Sequence, residues 1–166
     1  MKWIFIYLLV LFGVTEVSIL EQIRDAFPKV NSVEEADLWL SKLEAEEGVM
    51  VDAYKASLLF VKSRYVKFPL TKLKYFKRGK KQLDGLIKAN PENIEMRYIR
   101  FLFQKEIPRF LGYHTNINED YNLIVSTIED SMIEKYLKEH MLLNMLESNN
   151  LSSDEVNEIN RLIKVL

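Results

Sequence analysis

The chain contains no cysteine. That excludes disulfide bonds, thiol nucleophiles and cysteine-held zinc or iron–sulfur centres. Glycine occurs 5 times and proline 4 times in 166 residues, too little punctuation for the many turns of a β-sandwich or barrel. Neither sign of charge dominates: the net charge is −1, so the molecule as a whole attracts no polyanion. Also missing are a His-Glu-x-x-His pair, a Gly-x-Ser-x-Gly elbow and a phosphate-cradling glycine loop, the compact signatures of several hydrolase and nucleotide chemistries. What is present is globular composition, 48% hydrophobic and 28% charged, which distinguishes it from a disordered chain. A chain of this length buries about 68–70% of the surface its unfolded form exposes, enough for a true core.

The only long apolar run is at the start. Lys2 is followed by apolar residues or glycine from Trp3 to Val14, the pattern of a secretory signal with a positive n-region and an apolar h-region. As a helix that run reaches about 18 Å, short of the roughly 30 Å hydrocarbon layer. Extending it to Leu20 would take Glu16 into the bilayer at about 2.5–3.5 kcal/mol. The expected leader is therefore 1–15, with Gly13 and Thr15 as the small residues before the cut, or up to 18. No Ala-x-Ala pattern is present. The absence of cysteine near Gly13 excludes lipid-anchored maturation. Export to the periplasm or the outside follows from this reading, with one domain over 19–166.

From Ile19 onward the apolar residues recur at helical spacing, with no long alternating segment. The spacing predicts roughly eight helical segments, over 18–27, 32–47, 50–67, 70–89, 92–106, 117–128, 130–148 and 153–165. Ser32 with Glu35, and Ser152 with Glu155, match the capping box. Pro69 and Pro91 suit first-turn positions, where the missing N–H is not needed. Gly48 and Asn90 suit helix exits. The last segment carries one apolar stripe, Val156, Ile159, Ile163 and Leu166. Segment 92–106 is apolar almost all round, leaving Arg97, Arg100 and Gln104 as a narrow polar strip, so it belongs at the centre of the fold. The longest link, 107–116, holds Phe110, Leu111 and Tyr113 and is expected to fold back on the core. Short links favour antiparallel neighbours. The expected fold is all-α, about seven helices after the leader, packed as antiparallel pairs.

One joint carries a resemblance. Ala89-Asn90-Pro91-Glu92-Asn93 resembles the turn between two tetratricopeptide repeats, where proline stops one helix and opens the next. Gly79, on the face of Leu73, Phe76, Leu83 and Ile87, fits the close helix approach of that family. The likeness covers about one repeat and its neighbour, without a strict 34-residue period. It implies a right-handed stack of helix pairs, or a compact bundle, that binds a protein partner. The stretch Val66–Val125 also resembles an uncharacterised family of small exported bacterial proteins, through Phe76-Lys77-Arg78-Gly79-Lys80-Lys81, Asn90–Asn93 and Phe110–Tyr113. That likeness implies no particular activity.

Charge is segregated along the chain. From Lys62 to Lys88 there are ten Lys or Arg and one acid, Asp84; Glu16 to Asp52 holds ten acids against three bases, and 116–166 holds ten against four. On segment 70–89 the bases Lys74, Lys77, Arg78, Lys81 and Lys88 form a stripe roughly opposite Leu73, Phe76, Leu83 and Ile87. Such a stripe suits an anion: lipid head groups, a sugar-phosphate polymer or an acidic protein. Nucleic acid is excluded by export. The competing reading is a solvated face paired with the chain's own acidic helices.

Of the two histidines, His114 lies near Tyr113, Glu119 and Asp120. A lone histidine without a second partner at ligand spacing is poor ground for a metal or a proton relay, and no metal or cofactor is expected. Asn116 or Asn118 is the expected cap of segment 117–128, with Glu119 and Asp120 favouring its positive end. His140, one turn from Tyr136 and Leu143, reads as a half-buried core residue. The expected partner-binding set is Arg97, Arg100, Arg109, Tyr113 and His114, because Arg and Tyr are favoured at interface centres. The expected anion-binding set is Lys74, Lys77, Arg78 and Lys81. The sequence thus points first to a non-catalytic exported module that binds a protein, second to a membrane-surface or polyanion adaptor, and last to an enzyme centred on His114 with Glu119 or Asp120.

Overall fold

A computed structural model describes residues 17–166. The expected leader over 1–15 lies outside them. Among the described residues the chain forms eight α-helices, one short 3-10 turn and no strand, so the all-α expectation holds. The helices are α1 Ile19–Ala26, α2 Val33–Lys42, α3 Val49–Tyr65, α4 Pro69–Ala89, α5 Ile94–Glu106, α6 Ile117–Thr127, α7 Lys135–Leu146 and α8 Ser153–Val165, with the 3-10 turn Arg109–Leu111 between α5 and α6. No helix among the described residues is long and apolar enough to cross a membrane.

Local chemistry accounts for the starts. Ser18 and Ser152 each accept from the third backbone N–H of their helix, while Glu21 and Glu155 reach back to the cap, two complete capping boxes. Ser32 caps α2 in the same way, but the Glu35 carboxylate takes the Asn31 N–H instead. Pro69 and Asn93 open α4 and α5. Asn116 precedes α6 without capping it, its side-chain amide donating to Glu119. Replacing Ser152 by alanine should lower stability by about 1 kcal/mol, and by glycine only a few tenths, read as shifts of the urea midpoint; equal losses would show that the cap is not the cause.

Two segments are shorter than periodicity predicts. Helix α2 stops at Lys42 rather than 47, and Gly48, expected as a helix exit, is instead the N-cap of α3 at φ 134°, a conformation that favours glycine. Helix α7 begins at Lys135 rather than 130.

Consecutive helices pair, α2 with α3, α3 with α4, α5 with α6 and α7 with α8. Helix α5 also touches α3, α4 and α7, which makes it the axis of the fold. Ile94, Phe101 and Phe103 are buried, as expected for an apolar central helix. A chain of aromatic contacts runs through the core: Phe27 packs on Tyr54, Tyr98 and Phe103, and Phe60 stacks on Phe103 at 4.6 Å and on Tyr113 at 5.8 Å. Such pairs contribute about 0.5–1.5 kcal/mol beyond area burial.

Buried polar groups are paired. Glu95 takes both guanidinium bonds of Arg24 at 2.7 Å and the Tyr54 hydroxyl at 3.0 Å, joining α1, α3 and α5. The Glu95 bonds raise Arg24 above its ordinary pKa, and burial pushes Tyr54 far up. Gln104 is the exception: fully buried, its amide finds no partner among the described residues.

Candidate functional site

The polar strip of α5 does not face solvent. Arg97 and Arg100, three residues apart, project toward the first turn of α6 and meet Asp120, whose exposure is 0%. Arg100 binds it in a bidentate fork through one guanidinium edge, Nε to Oδ2 and Nη2 to Oδ1, each at 2.7 Å. Arg97 adds a bond from Nη1 to Oδ1 at 2.9 Å, donates to Glu119 with the same nitrogen, and turns Nε to the Pro91 carbonyl at 3.0 Å. The bidentate fork is the strongest geometry open to this pair. Burial opposes both arginine charges, but the Asp120 and Glu119 carboxylates outweigh it, and both pKa values end above the ordinary range. The Arg97 bond holds Glu119 below the usual carboxylate range.

Tyr113 extends the network. Its ring is 2% exposed and its hydroxyl donates to Asp84 at 2.8 Å, while Asp84 lies 3.6 Å from Arg100. Burial, then Asp84, pushes the phenol up. The link 107–116 therefore folds back through Tyr113, as expected, but Phe110 does not follow. Gly112 at φ 64° closes the 3-10 turn in the left-handed region and leaves Phe110 86% exposed.

Of the five residues expected to bind a partner, the structure brings Arg97, Arg100 and Tyr113 together, buried and bonded to the chain's own carboxylates. Arg109 stands in the exposed turn beside Phe110. The half-buried His114 ring donates from Nε2 to the Ile107 carbonyl at 2.8 Å, apart from the arginines that occupy Glu119 and Asp120. His140 is likewise half-buried, donating to the Phe27 carbonyl at 3.0 Å. Among the described residues no group of three or more His, Asp and Glu side chains could hold a metal ion.

The accessible face lies elsewhere, on α4. Lys74, Lys77, Arg78 and Lys81 are all exposed. None has an ion-pair partner among the described residues. Leu70 and Leu73 lie beside these bases. A groove of about 610 Å³ continues from Leu73 across Phe76, Phe103 and Ile107 to Phe110. Phe110, 86% exposed, lines the groove, and Phe68 at 75% and Leu70 at 84% flank Pro69, which also lines it. Lys72 and Arg64 edge the groove, and its one acid, Glu106, pairs with Arg64.

Phe68 and Leu70 are members of this face that the sequence analysis did not single out, and Phe110 is one that it expected on the core. Leu70 sits one turn before Leu73 and by spacing alone belongs to the buried stripe. The signal available was its setting, Lys67-Phe68-Pro69-Leu70 between lysines at the very start of a helix. A second, larger cleft of about 950 Å³ is bounded by α1, the start of α5 and the α6–α7 link. It is lined by Glu21, Asp25, Glu92, Asp130 and Glu134, with the fully exposed Met132. Its charge is opposite to that of α4.

No protein-family model matches the chain, and no curated protein or solved structure is significantly similar to it.

Proposed function

We propose that this chain is a non-enzymatic, exported helical module of tetratricopeptide-like helix pairs, and that it engages its partner through the outer face of α4 together with the Arg109–Leu111 turn. The observation that carries this reading is the line of exposed apolar side chains Leu70, Leu73 and Phe110, which runs from the α4 bases into an open apolar groove, those bases having no ion-pair partner among the described residues. A contiguous apolar patch with a polar rim marks an interaction surface, whereas single exposed leucines do not. The Arg97–Asp120–Arg100 network supports the reading indirectly. It locks α6 onto the central helix, which leaves the α4 side as the free face, with Arg109 the one member of the arginine set placed to touch a partner.

The test is photo-crosslinking in the source cells, with a benzophenone side chain at position 70, at 110, or at 38 as control, since Leu38 is exposed on α2 and lines neither the groove nor the Leu70 pocket. Adducts, to protein or lipid, should form at 70 and 110 at several times the yield at 38. Equal yields at the three positions would refute this face. Variants Leu70→Ser and Phe110→Ser should fold as before, because exposed substitutions change stability by no more than about 0.5 kcal/mol.

A further inference from the structure

We infer that the partner of this face is an anionic lipid surface, an inference that rests on the face proposed above and names what covers it. Three features of the face fit a bilayer interface together. The first is its cation count: Lys67, Lys72, Lys74, Lys77, Arg78 and Lys81 are exposed along α4 and its approach, and clusters of four to eight Lys or Arg are the electrostatic footprint of acidic phospholipids. The second is the place of the apolar tips. Phe68 caps α4 and Leu70 lies in its first turn, Phe110 lines the groove, and Leu73 joins Leu70 to Phe110. An interfacial helix buries such side chains about 5–10 Å into the boundary between head groups and acyl chains while its lysines stay among the phosphates. A soluble polyanion would use the lysines and leave Phe68, Leu70 and Phe110 in water.

The third feature is the disposition of acids. The carboxylates near this side are already occupied, Glu106 by Arg64, Asp84 by Tyr113 and Arg100, and Asp52, which shares a cleft with Arg78 and Lys81, by Lys55 at 4.0 Å. The carboxylates of the acidic cleft are carried by α1, the α4–α5 link, the start of α5 and the α6–α7 link, not by α4. With a net charge of −1, the molecule has no overall attraction to an anionic membrane, so binding depends on orientation. The field of the basic face draws α4 toward the phosphates while the acidic elements are repelled. Screening over about 8 Å at physiological ionic strength confines this attraction to close approach.

The experiment uses the protein as recovered from its source cells. It is co-sedimented with vesicles of phosphatidylcholine containing 0, 20 or 40 mol% phosphatidylglycerol, at about 50 and 500 mM NaCl. Partitioning should rise steeply with phosphatidylglycerol and fall at least tenfold at the higher salt. The triple variant Lys74→Gln, Lys77→Gln, Lys81→Gln should bind about 100-fold more weakly, at roughly fivefold per charge, while Lys164→Gln should bind as before. The double variant Leu70→Ser, Phe110→Ser should lose at least another tenfold on 40 mol% vesicles. Equal binding to neutral and anionic vesicles overturns the inference, as does unchanged binding of the triple variant. Unchanged binding of the double variant overturns insertion and leaves a soluble polyanion or generic attraction as the explanation. If vesicles fail while crosslinks at 70 and 110 end on a protein, or on a second copy of the chain, the lipid is wrong and the face stands. If the crosslinks also fail, both readings fall.

Discussion

Replacing Asp120 by alanine lowers the unfolding free energy by about 3–5 kcal/mol, the cost of removing one partner from a buried ionic cluster. The carboxylate is wholly buried and, among the described residues, is the only group that binds Arg100 through two nitrogens. Without it Arg100 keeps, among the described residues, Asp84 at 3.6 Å, and Arg97 keeps Glu119 and the Pro91 carbonyl. Both guanidiniums stay charged, since no accessible pH deprotonates arginine, and both remain largely out of water. A domain of this size has about 5–15 kcal/mol in all, so the variant sits close to its unfolding limit. The complementary experiment removes the whole cluster: Arg97→Met, Arg100→Met and Asp120→Leu together. Replacing a complete buried ion triad by apolar residues of similar volume is often neutral or stabilising. The triple variant should therefore recover most of what Asp120→Ala loses, as measured by urea unfolding of both proteins. A loss below about 1 kcal/mol for Asp120→Ala would mean that water reaches the arginines and that the cluster is not a structural lock.

That cluster shows where sequence reading stops. The polar strip of α5 was legible, and so was the need to bury the helix around it, because apolar residues on every other side leave no alternative. What the strip faces was not. Periodicity places side chains around one helix axis and carries nothing about a carboxylate 20 residues further on. Arg97 and Arg100 therefore read equally well as a binding surface. Yet two arginines three apart on an almost wholly apolar helix already demand an anion, since an unpaired buried charge is prohibitive, and Glu119-Asp120 at the start of the next helix was within reach. The expectation that those acids serve the helix end is correct in position and incomplete in partner. Helix starts were the most legible feature, since Ser152 with Glu155 is a local device that works whatever surrounds it. The helix ends at Lys42 and the start at Lys135 were less so, because there the chain must turn to reach the next packing partner. Phe110 was unreadable too, because it lies in a short 3-10 turn closed by a left-handed Gly112, where helical periodicity says nothing about which side chain meets the core.

Substituting Gly79 and Gly85, six residues apart on the same helix, should move stability in opposite directions. A Cβ at Gly79 would stand 3.0 Å from the Ala56 carbonyl oxygen, 3.2 Å from Phe60 Cδ2 and 3.3 Å from Leu59 Cβ, while one at Gly85 would meet nothing within 4 Å. The backbone oxygen of α3 cannot move aside as a side-chain tip can, so α4 must lift away from α3. These two helices share the most extensive interface of the fold, and overpacking such a contact costs about 1–3 kcal/mol. That exceeds the 0.5–1 kcal/mol or so that alanine gains over glycine within a helix. Gly79→Ala should therefore destabilise by about 1–2 kcal/mol and Gly79→Leu by 3 or more, whereas Gly85→Ala should stabilise by about 0.5–1 kcal/mol. Because α4 carries the basic stripe and Leu70, a lifted α4 also widens the groove between Leu73 and Phe110. Gly79→Ala should accordingly raise hydrogen exchange in α4 before the rest of the core, and Gly85→Ala should not. If both alanine variants stabilise, α4 rides loosely on α3, and a fixed geometry for the face it carries is lost with that contact.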